Sequence, residues 1–306
     1  MNGEINLNFH RLYGLGDATM LLAAAHALKL NGYYVKATTE EKYAEIIRAC
    51  PHINRVVITT DQPNKLTSHL VGFDPYSYVF GVADDHQINQ YLKHFGITAP
   101  TEHKTLEITV PEKSINKIES ILAPFNNGKK RVLIHAAKGE INRNWGRENW
   151  GNLVNALNDQ GYQIIRIGSG NGGKGVYYTG CSGMLDLVND LSLLDLIALC
   201  RVSDFFISSD SGPIQLAGAS SIGIIGLYTV AKGCNRLPYR VSGKSIAVDA
   251  PCIYAPCFPL NIHPTIEGKN RFCTWCPKGD YNCGITLDAV LKAFQTLSSE
   301  VSSVSL

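Results

Sequence analysis

The stretch "FFISSDSGPIQLAGASSIGIIGLY", residues 205–228, decides the reading of this chain. It starts as an apolar strand, breaks at Asp210-Ser211-Gly212-Pro213, continues as a helix of small residues and returns to an apolar strand. Ser211 is of the type that caps a helix N-terminus, and Pro213 sits where the first turn tolerates a residue without an N–H. A strand that turns at once into a helix aims the first helical N–H groups, those of Gly212, Ile214 and Gln215, beyond the strand's end. The helix dipole favours an anion there. Asp210, at the end of the strand, is suited either to capping or to orienting a sugar hydroxyl.

The same alternation extends in both directions. Upstream, "RVLIHAA" reads as a strand and "RENWGNLVNALNDQG" as a helix. "YQIIRIG" follows as a strand, "SLLDLIALCRV" as a helix and "DFFISS" as a strand. Nearer the N-terminus, "INLNF", "YYVKAT" and "NRVVIT" read as strands separated by the helical patterns of 15–32 and 39–50, a βαβαβ order that calls for a parallel sheet. "YSYVFGV", "DDHQINQYLKHFG", "KTLEITV" and the helix "PEKSINKIESILA" extend it. "PFNNGKK", 124–130, has no periodicity and reads as a linker. The expected architecture is α/β: two Rossmann-like domains, 1–126 and 127–306, with parallel sheets flanked by helices and facing each other across a cleft. The second ends in a cysteine-rich segment, 252–283, and a last helix, 285–299.

With 306 residues the chain is long enough for two such cores, and its formal net charge of +2 implies no broad footprint for nucleic acid. No apolar run approaches the ~18 residues of a membrane span. Residues 1–10 show no secretory leader pattern, so a cytoplasmic location is the expectation. Of nine cysteines, five crowd into the last fifth: Cys252, Cys257, Cys273, Cys276 and Cys283. The Cys273-x-x-Cys276 pair is half of a structural zinc site that Cys252 and Cys257 could complete; free thiols bracing a loop are the alternative.

Four segments carry candidate chemistry. In "HRLYGLGDATM" Gly14 and Gly16 allow a tight turn and close approach of a ligand on the acceptor side, and Asp17 enters the first turn of the helix, where it could simply cap. The pattern lacks the third glycine of the dinucleotide fingerprint. In "IHAAKGEINRNWGRENW" Lys138, Arg143 and Arg147 lie at the mouth of a strand, suited to phosphate oxygens, while Trp145 and Trp150 read as packing residues. The loop "RIGSGNGGKGV", including Gly168, is glycine-rich after a strand. The fourth segment is the one quoted first.

Taken in order, "LYGLGDATMLLAAAHALK", "IHAAKGEINRNWGRENWGNLVNALNDQGYQIIRIGSG", "SSDSGPIQLAGASSIGIIGLY" and "CTWCPKGDYNCGITLDAVLKAF" resemble the heptosyltransferase-like glycosyltransferases of family nine. The resemblance runs from about Ile5 to Phe294. It implies a GT-B arrangement and inverting transfer from a nucleotide-diphosphate sugar, with ADP-heptose favoured, to a glycan or other hydroxyl acceptor. No cofactor is required for catalysis. Asp17 falls on the family's general base. Arg143 stands where a lysine is usual, and Asp210, Ser211 and Gly212 match the Asp-Thr-Gly that holds donor phosphates and sugar. Gln215 replaces a usual histidine. Lys138 and Gly168 complete the expected donor side. Two other readings stay open: a non-catalytic module binding nucleotide sugars or glycans on the same fold, and a nucleotide-sugar epimerase.

Overall fold

The computed structural model describes residues 3–9, 14–59, 85–136, 143, 145–170, 183–253, 255 and 283–302. In the first half, β1 (Glu4–Asn8), β2 (Tyr34–Thr39) and β3 (Arg55–Ile58) form a parallel sheet in that order, with Leu7 opposite Ala37 and Ala37 opposite Val56. The crossovers are α1 (Leu15–Leu30) and α2 (Glu41–Arg48). α1 is nearly all alanine, leucine and other small or apolar residues and is buried on most sides. Small side chains let neighbours approach from several directions, and a helix apolar all round belongs in a core.

α3 (Gln87–His94) follows, then a 3-10 turn at Thr101–Lys104 and α4 (Glu112–Leu122). The "KTLEITV" run expected as a strand is extended but joins no sheet. It is held instead by Thr109 N–H donating to Ala49 O at 2.8 Å, with Leu106 and Ile108 turned inward. "YSYVFGV" lies outside the described residues. The join between the halves, 123–130, is exposed throughout.

The second half holds β4 (Arg131–His135), α5 (Arg147–Asp159), β5 (Gln163–Arg166), β6 (Leu185–Asp186), α6 (Leu193–Arg201), β7 (Phe205–Ser209), α7 (Gly212–Ala217), β8 (Gly223–Tyr228), β9 (Ser245–Asp249) and α8 (Leu287–Ser302). All six strands are parallel, in the order β6-β5-β4-β7-β8-β9. Every residue of β7 and β8 is buried, which is why both read as continuous apolar runs. Alternation along each strand divides the core. Val132, Ile134, Phe205 and Ile207 pack with Trp150, Phe294 and Leu297 on one face. Leu133 and Phe206 join a core on the other face that continues through α6 and α7 into α1 of the first half. α4 also packs on α6, and Lys117 Nζ reaches Asp195 Oδ2 at 2.6 Å.

Strand order reverses between β4 and β7. In open α/β sheets the crevice at the carboxyl ends of such a pair is where ligands bind. No described helix is long and apolar enough to cross a membrane.

Candidate active site

Two helix N-termini meet at that crevice. α1 begins with Gly14 as its N-cap, in extended backbone (φ −150°, ψ 164°), so Asp17 is the third helical residue and does not cap. α7 begins with Ser211 as its N-cap (φ −159°, ψ 167°) and Pro213 in the first turn, as the sequence implies. The helices touch through their smallest residues. A Cβ added to Gly16 would sit 3.7 Å from Gly212 Cα, and one added to Gly212 would sit 2.5 Å from Leu15 Cβ. Gly212 is therefore small because α1 packs against it, a role the sequence did not suggest. Gly14 has open space around it.

Ser211 does not use its hydroxyl to cap. Its Oγ lies 3.1 Å from His135 Nδ1 and 3.0 Å from Ser208 Oγ, while Ser208 donates to Ser209 O at 2.7 Å. Desolvation at the end of β4 lowers the His135 pKa to about 4, so the ring is neutral at pH 7. Gly168 stands beside this ring, with φ +151° and room for a Cβ 3.6 Å from His135 Cδ2.

Asp210 is buried, with Arg236 Nε 3.6 Å from Oδ1 and Arg143 Nη1 3.9 Å from Oδ2. Burial alone would raise its pKa; the guanidinium of Arg236, then that of Arg143, outweighs it and holds the carboxyl below its usual range. Neither Asp210 oxygen has a hydrogen-bond partner among the described residues.

Arg236, at the end of the 3-10 turn Gly233–Asn235, is the residue that sequence reading missed. It is 7% exposed and touches both halves. Nη1 lies 3.5 Å from Asp17 Oδ1 and also donates to Gln87 Oε1, while Nε faces Asp210. Burial opposes its charge, but Asp210 and then Asp17 raise its pKa overall. Gln87, the first residue of α3, donates through Nε2 to Asp17 Oδ1 at 3.3 Å and to the Tyr91 hydroxyl at 2.5 Å. The preceding residue, His86, caps α3 by accepting from Ile88 N–H at Nδ1. Its Nε2 must then carry the proton, donated to Leu237 O at 2.7 Å. Gln215 is buried and donates through Nε2 to Arg236 O at 2.5 Å. Its amide holds the Arg236 backbone in place.

The structure thus brings together Asp17, Arg143, Gly168, Asp210, Ser211 and Gly212, and adds Arg236, Gln87 and His135. Lys138 lies outside the described residues, as do Cys257, Cys273 and Cys276; Cys252 is half-buried and in no disulfide. The tryptophans are packing residues. Their rings meet edge to face with centroids 5.0 Å apart, and Trp145 Nε1 donates to Ile285 O at 2.8 Å.

Two Rossmann-like units with facing helix N-termini and a carboxylate on each side make up the GT-B arrangement. Residues 79–258, more than half of the chain, match the family model for glycosyltransferase family 9 (heptosyltransferase), and the chain belongs to that family. No curated protein matches its sequence. Among solved structures, the chain is similar to a family 9 glycosyl transferase from Veillonella parvula, at 14% identity and TM-score 0.73 over 97% of both chains. It is also similar to the ADP-heptose lipopolysaccharide heptosyltransferase II of E. coli, at 12% identity and TM-score 0.64, over 99% of this chain and 100% of that one. A third is the dodecameric iron-containing heptosyltransferase TibC of enterotoxigenic E. coli, solved with ADP-D-beta-D-heptose. There the identity is 16% and the TM-score 0.66, over 98% of this chain and 76% of that one.

Proposed function

We propose that this glycosyltransferase moves a sugar, with heptose favoured, from a nucleotide-diphosphate donor such as ADP-heptose to an acceptor hydroxyl. The anomeric configuration inverts and no metal takes part. The observation that carries the reading is the Asp17 carboxylate, 15% exposed and steadied through Oδ1 by Arg236 and Gln87. Among the described residues both contacts fall on one oxygen, which leaves Oδ2 to take the acceptor's proton.

Breaking the bond between the anomeric carbon and the diphosphate gives an oxocarbenium-like transition state and builds negative charge on the departing phosphate. Arg143 and the backbone at Ser211–Gly212 supply fixed positive potential on that side, with Lys138 assigned to the same task. The Asp210 oxygens, buried and lacking a hydrogen-bond donor among the described residues, suit a hydroxyl of the donor sugar. His135, neutral, holds Ser211 in register. One base and one displacement give inversion. The 1–126 half carries the acceptor side and the 127–306 half the donor side, in a cytoplasmic enzyme.

The test is incubation of ADP-heptose and other nucleotide sugars with candidate glycan acceptors, reading released nucleotide and the configuration of the product. Release of nucleotide with an inverted linkage is expected. An altered sugar on an intact nucleotide identifies an epimerase, and saturable binding without turnover identifies a binding module; either result overturns the proposal.

A further inference from the structure

The segment that carries Arg236 is held by the first half at successive residues. Adjacent residues at the start of α3 take the first two. Gln87 accepts from the Arg236 guanidinium at Oε1, and His86 donates from Nε2 to the next carbonyl, Leu237 O, at 2.7 Å. Tyr239 is held next. Its ring lies against the His86 imidazole, centroids 4.0 Å apart and planes 35° apart, and Lys104 Nζ stands over it, 4.2 Å from the centroid. Lys104 is buried, where a cation over an aromatic face is attracted more strongly than in water. The Tyr239 hydroxyl accepts from Asn89 Nδ2 at 3.1 Å, and Asn89 Oδ1 accepts from Lys104 Nζ at 2.9 Å. Asp85 steadies this group in turn, accepting from Asn89 Nδ2 at 2.7 Å and from the His86 N–H at 2.8 Å.

We propose that Tyr239 is a positioning residue for the transfer: seated on His86 and Lys104, it fixes where the Arg236 guanidinium stands and, through it, how Asp17 is oriented. The inference rests on the reading of Asp17 as the base. Arg236 stands past the end of the 3-10 turn Gly233–Asn235, where no helix or sheet ladder continues to fix the chain. The second half holds its carbonyl through Gln215 and sets Pro238 against Gly218, where an added Cβ would fall 2.6 Å from Pro238 Cβ. Arg240 then ties the segment back, donating from Nη2 to Ser220 O and Ile222 O at 2.6 Å each. Between these anchors, the seat of Tyr239 and the His86 bond to Leu237 O set the depth to which the segment enters the first half. The depth matters because one guanidinium serves two carboxylates, with Nη1 3.5 Å from Asp17 Oδ1 and Nε 3.6 Å from Asp210 Oδ1. A misplacement of about 1 Å at a reacting centre costs about 10²-fold in rate. The ring makes the seat, since His86 and Lys104 both meet the ring; the hydroxyl adds the one bond from Asn89.

The test compares Tyr239→Ala, which removes the seat, with Tyr239→Phe, which keeps the ring, in the full chain. With a nucleotide sugar that turns over, kcat is expected to fall about 10–10²-fold in Tyr239→Ala and to stay within about twofold of the parent in Tyr239→Phe. In an Arg236→Met background, Tyr239→Ala is expected to lower kcat no further, because the group it positions is gone; a second loss of the same size marks a merely structural role and overturns the proposal. A readout independent of activity is exchange of the Arg236 Nε–H with water, followed by NMR. That nitrogen is buried in the parent, as is Arg131 Nε at the start of β4, far along the strand from the crevice. Faster exchange at Arg236 but not at Arg131 is expected in Tyr239→Ala, and parent-like exchange in Tyr239→Phe. Melting curves verify folding; if the double variant unfolds, the single variants and the exchange measurement decide. Unchanged exchange at Arg236, equal acceleration at Arg131, equal losses in both Tyr239 variants, or parent-like kcat in Tyr239→Ala overturns the proposal. If no nucleotide sugar turns over in the parent, the proposed function has failed by itself, and exchange alone decides whether Tyr239 seats Arg236.

Discussion

Asp17→Asn separates a general base from a structural carboxylate. The amide keeps the shape and an acceptor oxygen for Gln87 and Arg236, so both contacts on Oδ1 persist; Arg236 keeps its own charge, and only the bond from Gln87 becomes a neutral one. A hydrogen bond to a charged group contributes about 1.5–3 kcal/mol and a neutral one about 0.5–1.5, so the stability loss is about 1 kcal/mol. For a protein of this size that is a fall in Tm of about 2–4 °C or less. Helix capping is not at stake, because Gly14 occupies the cap and Asp17 is the third residue of α1. Arg236 retains Asp210 as its ionic partner. Donor binding therefore survives. Turnover does not, since an amide cannot take the acceptor's proton, and loss of a general base lowers the rate by about 10²–10⁴-fold. That is about 3–5 kcal/mol in the barrier, several times the stability term. Calorimetry for donor Kd, a melting curve and steady-state turnover on the one variant give the three quantities. Turnover within a few-fold of the parent refutes the assignment of Asp17 as base.

Arg236→Met leaves Asp210 buried without its nearest cation, and breaking such a pair by removing one partner costs about 3–5 kcal/mol. Urea unfolding is expected to show this at pH 7 and to show part of it recovered on acidification, as Asp210 becomes neutral; equal losses at both pH values contradict the ion-pair account. In the parent the sign is opposite. Asp210 has a lowered folded pKa, so its stability contribution is present above the unfolded pKa and disappears as pH falls through the folded one. His86 works in the same direction at higher pH: burial lowers its pKa to about 4, so between pH 6.5 and 4 the unfolded chain binds the extra proton and stability declines as pH falls. His86→Asn is expected to flatten that part of the stability–pH curve; an unchanged slope excludes His86 as its source. Gly212→Val forces side-chain atoms into Leu15 and is expected to cost about 1–3 kcal/mol, with Leu15→Ala restoring part of it. Strict additivity of the two changes would place the strain elsewhere.

Much of the architecture is legible because burial imposes it on composition. β7 and β8 are covered on both faces and so cannot avoid being apolar throughout. Two strands escaped for the converse reason. β6 is only Leu185–Asp186, and β9, "SIAVD", is a half-buried edge with polar residues at both ends. "KTLEITV" misled in the other direction: its alternation is genuine, with Leu106 and Ile108 inward and Glu107 outward, but the inward face meets helices and pairs with no strand. Alternation records a face against a core, and does not record whether the neighbour offers a free backbone edge.

The site divides along the same line. Asp17, Asp210 and Ser211 are readable because each follows a strand or opens a helix, where local rules decide position. Arg236 follows no such rule. It lies beyond β8 in a loop whose path is set by Gln215 holding its carbonyl and Asp249 accepting Gly233 N–H at 2.7 Å. Yet the arrangement depends on it. Asp17 and Asp210 come from opposite halves, and two carboxylates facing one crevice repel each other unless a cation stands between them. Arg236 is that cation, with Nη1 toward one carboxylate and Nε toward the other. Since its backbone belongs to the second half and Asp17 to the first, the orientation of the proposed base by Arg236 depends on the packing between the halves, the same packing that sets Leu15 against Gly212. Gln87, from the first half itself, supplies the other contact on Asp17 Oδ1, so the base is held from both sides of the crevice.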